Sequence, residues 1–335
     1  MKVKDLKITK RIKHDVYLNY VVQSVIYPED PNTLFLTMRG GGITTYDISN
    51  PKKPKFLTHW DENKHRNVEG QDRIGNLLIV TDISRGGLFI LDVSNPKKLT
   101  KLSYLNFKNV ENVLHTKIYQ DKGKTYALLT GGFHYKTYEP SDLFAIVDIT
   151  DPKSPKLISK INTGVLGTEG ISIKNHYAYV GGYMSSKFVV IDFSNPKNMV
   201  IVKELNKPYY RQMVSKIGSD GVLYAALWGE KGGLATFNIE DPKNIREISY
   251  ITNKELSKAN RVNISGDYIF IPLELEEGGG VGVIDRSNPK KLIHVKSFLN
   301  IPDVDKPYCL AVKGNYLYLF SSKNNSMIVM QIIKE

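Results

Sequence analysis

The chain has 335 residues, 41% of them hydrophobic, which is enough for two average domains or for one large repeat architecture. Its single cysteine, Cys309, excludes an intramolecular disulfide framework, and its apolar runs are of strand length, which excludes a transmembrane helix. The N-terminal residues MKVKDLKITK are too charged for a signal peptide, so we expect a cytoplasmic protein, with a formal net charge of +12.

Six segments share one pattern, in which a short apolar or aromatic run ends in Asp or Asn and is followed, after one residue, by a variant of S-N-P-K. In chain order they are GITTYDISNPKKP, GLFILDVSNPKKL, LFAIVDITDPKSP, KFVVIDFSNPKNM, GLATFNIEDPKNI and GVGVIDRSNPKKL. The aligned residues lie 45, 56, 44, 46 and 47 positions apart: Asp47, Asp92, Asp148, Asp192, Asn238 and Asp285. A period in the mid-forties fits either a four-stranded propeller blade or a pair of helices.

The local composition favours strands. Runs of β-branched and aromatic residues alternate with Gly and Pro, and no stretch keeps a helical period. Residues 167–206 contain four such runs, GISI, YAYVGG, KFVVIDF and MVIVKEL, separated by KNH, YMSS and SNPKN. Each repeat therefore predicts one four-stranded antiparallel blade.

The repeated turn has a local explanation. Asn or Asp before Pro initiates a turn by bonding to nearby backbone groups, and Pro cannot continue a strand ladder. The Asp at the end of each apolar run is accordingly interpreted as a turn cap and not as a catalytic acid.

The two ends of the chain predict how the propeller closes. The last segment, SMIVMQIIKE, places Gln331 46 residues after Asp285, as the third strand of a seventh blade with no fourth strand after it. Residues 2–12 resemble the fourth-strand segments and can supply the missing strand. We therefore predict an all-β fold: one seven-bladed β-propeller domain over residues 1–335, closed by its N-terminal strand.

The segments FVVID, LFILD, FAIVD and VGVID, each followed by the S/T-N/D-P-K turn, resemble the LVIVD repeat family. The resemblance covers essentially the whole chain and implies a β-propeller. It implies no particular activity, because propellers serve in binding, catalysis and scaffolding.

Every repeated turn carries a lysine, and these turns share one face of a propeller: Lys52, Lys97, Lys153, Lys197, Lys243 and Lys290. Such a ring permits attraction to an anionic surface. Lysine on exposed turns is, however, ordinarily solvated, and no stacking aromatics accompany it. We therefore do not predict nucleic-acid binding.

The opposite face carries the loops that differ between repeats, and variable loops on a rigid scaffold are a common place for binding. These loops supply four candidate ligand-binding residues: Arg39, His134, Tyr138 and Trp228. At the start of the inner strands, alignment on the first turn brings six polar residues to one level: Glu69, His115, Glu169, Arg211, Asn260 and Tyr308.

Three interpretations of the inner-strand residues stay open at this point. They can line a water-filled axial channel, they can bind a small polar ligand together with the variable loops, or Glu69, His115, Glu169 and Arg211 can be catalytic. Glu69, His115 and Glu169 could also hold a metal ion, but their spacing matches no local metal motif.

Searches for nucleotide-binding, hydrolase-elbow, zincin and redox motifs find none, and the sequence names no cofactor. The sequence thus favours a propeller that recognises a small polar ligand or a partner protein through its variable face and axial mouth. The alternative is an enzyme of the lyase or hydrolase type, with or without a metal ion, in the same place.

Overall fold

The computed structural model describes residues 2–62, 67–107, 113–133, 137, 139–275 and 277–335. These residues form strands and turns, and they contain no helix long and apolar enough to cross a membrane. The strands pair into seven four-stranded antiparallel sheets. The fold is a seven-bladed β-propeller, which confirms the fold predicted from the repeats.

In chain order the strands are β1 (Val3–Lys13), β2 (Val21–Tyr27), β3 (Asp30–Met38), β4 (Ile43–Asp47), β5 (Lys55–Trp60), β6 (Val68–Ile74), β7 (Leu77–Asp82), β8 (Gly87–Asp92), β9 (Thr100–Asn106), β10 (Val113–Asp121), β11 (Lys124–Gly131), β12 (Leu143–Asp148), β13 (Lys156–Asn162), β14 (Thr168–Lys174), β15 (Tyr177–Gly182), β16 (Lys187–Asp192), β17 (Val200–Asn206), β18 (Val214–Ile217), β19 (Leu223–Leu227), β20 (Gly233–Asn238), β21 (Arg246–Ile251), β22 (Asn263–Ser265), β23 (Tyr268–Leu273), β24 (Gly280–Asp285), β25 (Ile293–Phe298), β26 (Pro307–Lys313), β27 (Tyr316–Ser321) and β28 (Ser326–Lys334). Six sheets are consecutive along the chain, starting at β2, β6, β10, β14, β18 and β22.

The chain forms two compact units. The first contains the sheets β2–β5 and β22–β25 and the sheet of β1 with β26–β28, and the second contains β6–β9, β10–β13 and β14–β17; the boundaries fall within β19, β20 and β21. In the first unit, Phe270 and Val283 share a core with Leu319 of the next sheet. In the second unit, Ile90 packs with Leu129 in the same way. Within each unit, the hydrophobic cores thus lie between the faces of successive sheets.

The N-terminal strand completes the last sheet. Strand β1 pairs antiparallel with β28, from Val3 opposite Lys334 to Lys13 opposite Ser326. Gln331 pairs with Tyr316 in the same register in which Asp192 pairs with Tyr177. Both observations confirm the predicted seventh blade and its closure.

The repeated turn is capped in all six copies. The side-chain oxygen at the end of the third strand accepts the backbone N–H two residues later, at 2.8 to 2.9 Å, in Asp47, Asp92, Asp148, Asp192, Asn238 and Asp285. The Asn or Asp before the proline accepts the lysine N–H in turn, at 2.9 to 3.1 Å. This confirms that these acidic residues cap turns.

The same turn also joins one sheet to the next. The carbonyl oxygen of its proline accepts a hydrogen bond from a hydroxyl of an adjacent sheet; the donor and acceptor pairs are Ser103 and Pro152, Ser159 and Pro196, Thr236 and Pro289, and Tyr318 and Pro51. Because sheets that pack face to face share no ladder hydrogen bonds, these bonds fix their alignment.

The cap at Asp47 predicts a pH-dependent contribution to stability. The backbone and side chain of Ser49 donate to the carboxylate and, with Lys55 and Lys313, hold the pKa of Asp47 below its ordinary value despite partial desolvation. A folded-state pKa below the unfolded value means that the ionised group stabilises the fold above about pH 4 and that this stabilisation is lost as the pH falls through the folded pKa.

Replacing Asp47 with Ala should lower the free energy of unfolding by about 1 kcal/mol at pH 7, because the Ser49 N–H loses its partner. Asp47→Asn keeps an acceptor, as Asn238 does naturally, and should lose less. The difference between wild type and Asp47→Asn should decrease as the pH falls towards the lowered folded pKa of Asp47. Urea unfolding at pH 7 and at about pH 3 measures both effects, and a constant difference across that range would contradict the assignment.

Candidate ligand-binding site

A β-bulge recurs at the start of the inner strands and sets the direction of the candidate site residues. The pairing of inner and second strands shifts by one or two residues, and the residues within the shift are Val22, Glu69 with Gly70, Leu114, Glu169 and Tyr308. Bulges are common beside binding sites because they redirect side chains. The candidate positions therefore lie where the ladder is interrupted.

The register corrects the sequence alignment at two positions. In each blade, the last residue of the third strand pairs with one residue of the second strand, and this second-strand residue serves as a common reference. Four of the candidates lie at the same distance along the chain from it, as predicted: Glu69, Glu169, Asn260 and Tyr308. His115 lies one residue further along than the equivalent Leu114, because each strand of the hairpin between β10 and β11 is two residues longer. Arg211 is exposed and precedes β18, and its neighbour Gln212 is buried instead. That all six side chains converge stays a prediction.

In the second unit, buried carboxylates occupy the inner strands. Glu69 is 0% and Glu169 is 2% exposed, and His115, at 6%, lies on β10, which contacts both β6 and β14. Among the described residues, no group of three or more His, Cys, Asp or Glu side chains is arranged to hold a metal ion. Glu69, His115 and Glu169 therefore do not form a metal-binding cluster.

The glycine after each of these glutamates is explained by close packing of neighbouring inner strands. A Cβ atom on Gly70 would lie 2.7 Å from the Cα atom of His115, and one on Gly170 would overlap the carbonyl oxygen of Met213. Thr81 joins the same strands, because its hydroxyl accepts from the Gly70 N–H at 2.8 Å and donates to the Leu114 carbonyl at 2.7 Å. The repeated Glu-Gly pair thus combines a buried carboxylate with a close backbone contact.

In the first unit, two arginines and two tyrosines form a cluster, which we call the arginine–tyrosine cluster: Tyr20, Arg39, Arg261 and Tyr308. The Arg39 guanidinium lies 5.3 Å from the ring centre of Tyr308 and 5.6 Å from that of Tyr20. The Arg261 guanidinium lies 5.7 Å from the Tyr308 ring. One buried tyrosine ring therefore contacts two cations.

Arg261 is held in place by the bulge of strand β2, which lies two blades away. Its Nε donates to the carbonyl oxygen of Val22 at 3.2 Å, and the side chain belongs to a residue only 7% exposed. A hydrogen bond at Nε fixes the plane of the guanidinium group. Arg261 and Tyr308 are largely removed from solvent, whereas Tyr20 and Arg39 are partly buried; the burial strengthens the electrostatic interactions of Arg261.

A second set of polar contacts involves residues that precede Arg261 in the chain. Asn260 Nδ2 donates to Glu274 Oε2 at 2.8 Å, and the Lys258 ammonium lies 3.7 Å from the ring centre of Trp228. Within the described structure, Asn260 Oδ1 and Trp228 Nε1 are buried and make no hydrogen bond. Buried polar atoms of this kind are exceptional and call for a partner.

Of the predicted ligand-binding residues, Arg39 and Tyr308 are in contact, and Asn260 and Trp228 belong to the same unit. His134 and Tyr138 lie outside the described residues. The sequence alignment missed Arg261, Lys258 and Tyr20. Arg261 could have been noticed, because a charged residue directly follows Asn260 at the start of an inner strand.

Comparison with known proteins agrees with the fold. The sequence profile of the LVIVD repeat matches residues 74–105, 131–163, 167–206 and 257–300. The chain contains LVIVD repeats. No curated protein sequence matches the chain. The similarity of this sequence to known proteins therefore rests on its LVIVD repeats.

Solved structures resemble the LVIVD-repeat propeller in fold. The WD40 domain of Pan2 from Neurospora crassa has a TM-score of 0.69 at 11% identity, over 100% of this chain and 98% of that one. A provisionally assigned 6-phosphogluconolactonase from Bacteroides fragilis has a TM-score of 0.66 at 13% identity, over 85% of each chain. Identities this low show the fold alone.

Replacing Gly170 with Ala should destabilise the protein by about 1 to 3 kcal/mol. The new methyl group would meet backbone atoms of Met213 and Val214, and these atoms cannot move without shifting strand β18. Gly282→Ala is the matched control, since its Cβ would meet the end of the Leu256 side chain, and no backbone atom, at 3.1 Å. Chemical denaturation measures both variants. Equal losses of stability would argue against a special inner-strand contact at Gly170.

Proposed function

We propose that this propeller binds a small polar ligand that carries a carboxylate group, at the end of the blades that bears the variable loops. The observation that carries the proposal is the Tyr308 ring, which contacts the guanidinium groups of both Arg39 and Arg261. Two arginines on one buried ring, one of them fixed by a hydrogen bond, support binding of an anion.

Arginine suits a carboxylate better than lysine does. The planar guanidinium group presents its N–H donors as a fork that matches two carboxylate oxygens. Arg261 is fixed by Val22, and Arg39 is only partly buried. Arg261 would therefore orient the ligand, and Arg39 would close on it from the solvent side.

The polar remainder of the ligand has candidate partners as well. Asn260 Oδ1 can accept a hydrogen bond and Trp228 Nε1 can donate one. Trp228 is partly buried under Lys258, which favours a small molecule over the flat protein partner that the sequence left open. The combination of few directed polar groups and aromatic rings is typical of small-molecule sites.

Catalysis is the second candidate, and the buried carboxylates of the second unit favour it. Glu69 and Glu169 are more buried than carboxylates ordinarily are, and a His lies on the strand between theirs. Such groups can serve as general acid and base. The provisionally assigned 6-phosphogluconolactonase of similar fold suggests lactone hydrolysis as the reaction to assay.

The binding proposal predicts that citrate or gluconate raises the melting temperature of the wild-type protein and that Arg39→Gln removes most of this shift. Differential scanning fluorimetry up to about 10 mM ligand measures it, since ligand at a hundred times its dissociation constant adds about 2.7 kcal/mol. Lys97→Gln, which removes the same charge from an exposed turn, is the matched control. No wild-type shift, or an equal shift in the two variants, would contradict the proposal.

The enzyme candidate predicts that the wild-type protein hydrolyses a sugar-acid lactone and that Glu169→Gln abolishes this activity. The substitution nearly preserves shape, so the free energy of unfolding should change by less than about 1 kcal/mol if Glu169 is catalytic. A structural Glu169 gives the opposite pattern, with activity kept and stability lost. Lactone hydrolysis followed by pH-stat, with thermal unfolding of the same samples, separates the two.

A further inference from the structure

A cavity of about 470 Å³ lies in the first unit, apart from the arginine–tyrosine cluster. It is lined by the connection between β21 and β22 and by strand β25; the residues are Asn253, Lys254, Glu255, His294, Val295, Lys296 and Ser297. Two lysines, a histidine, a serine, an asparagine and a glutamate thus line one open space large enough for a small molecule.

A β-bulge at Val295 creates the central pair of this cavity. Val283 pairs with Lys296 while Ile284 pairs with His294, so Val295 is extra. In a regular strand, residues three apart face opposite sides, but the extra residue turns His294 and Ser297 to the same side. His294 Nε2 consequently lies 2.9 Å from Ser297 Oγ.

The sheet β14–β17 lacks this pair. The sheet β14–β17 has the same bulge, because Val190 pairs with Lys203 while Ile191 pairs with Ile201. There the residues equivalent to His294 and Ser297 are Ile201 and Glu204, which cannot form such a bond. Backbone geometry therefore explains the common direction of the two side chains, and the sequence of β25 supplies their chemistry.

The hydrogen bonds around His294 determine its tautomer. Asn253 Oδ1 accepts the Leu256 N–H at 2.9 Å, so it is Asn253 Nδ2 that faces His294 Nδ1, also at 2.9 Å. An amide NH₂ only donates, so Nδ1 is the acceptor and the proton of the neutral ring sits on Nε2. Nε2 then donates to Ser297 Oγ.

This tautomer excludes a serine nucleophile. Activation of a serine requires that the histidine nitrogen accept the hydroxyl proton, whereas here that nitrogen donates. The Ser297 hydroxyl hydrogen is therefore available to another acceptor, and Lys254 and Lys296 line the same cavity. All three groups are donors, and two of them are cations.

We propose that this cavity binds the phosphate group of a small molecule, with Lys254 and Lys296 supplying charge and Ser297 a directed hydrogen bond. Lysine is a common partner of phosphate because its compact charge needs no fixed plane. Glu255 opposes the phosphate: its Oε2 lies 3.7 Å from His294 Nε2, and its side chain is 49% exposed. Its carboxylate limits the affinity for any dianion that enters the cavity.

The test is an NMR titration of the ¹⁵N-labelled full chain with inorganic phosphate, at constant ionic strength set with sodium chloride. The amide signals of Lys296 and Ser297 should shift and saturate. The double variant Lys254→Gln and Lys296→Gln should bind phosphate roughly tenfold or more weakly than the wild type. Glu255→Gln should tighten it roughly threefold, because a like charge is removed. Lys203→Gln, at the position of β17 equivalent to Lys296, is the matched control and should bind like the wild type.

Three results would overturn the proposal. The first is an absence of saturating shifts at these amides. The second is equal weakening by Lys203→Gln, which would show general charge attraction. The third is a long-range ¹H–¹⁵N spectrum of the His294 ring with the proton on Nδ1, which would make Ser297 the donor to Nε2. A tightened Glu255→Gln complex supports the proposal and is not expected from a merely structural role.

Discussion

The capped turn between the third and fourth strands is the interaction on which the rest of the fold depends. Its two Asx side chains satisfy backbone N–H groups within the turn, and its proline carbonyl accepts a hydroxyl from an adjacent sheet. The first property ends a strand locally, and the second aligns two sheets that have no ladder between them. One short sequence therefore determines both the blade and its spacing from the next blade.

Side chains with candidate functions lie where the regular ladder is interrupted. The inner-strand bulges contain Glu69, Glu169 and Tyr308, and the outer-strand bulge at Val295 joins His294 to Ser297. A regular strand would send alternate residues into the hydrophobic cores between sheets, so it offers few positions for polar groups. The bulges release single residues from that alternation without disrupting the core.

Positive charge is distributed in two physically different ways. The lysines of the repeated turns are exposed and solvated, so they contribute net charge and little specific interaction. Arg39, Arg261 and Lys258 instead lie against aromatic rings. A cation held by a ring and partly removed from water keeps a defined direction, which is what recognition of an anion requires.

The sequence by itself determined the number of blades and the turn caps, because both are encoded by residues close together in the chain. The closure by the N-terminal strand joins the two ends of the chain, and it followed from counting the strands, since the last repeat lacks a fourth strand. Only the tertiary structure decided the candidate sites. A bulge and a longer hairpin displace His115 by one residue from its predicted equivalent, and an alignment on turns cannot count such insertions. The contact of Arg39 with Tyr308, and of Asn253 with His294, joins residues far apart in sequence. Such contacts depend on how sheets pack, and packing is decided by the shapes of whole faces and not by any local run of residues.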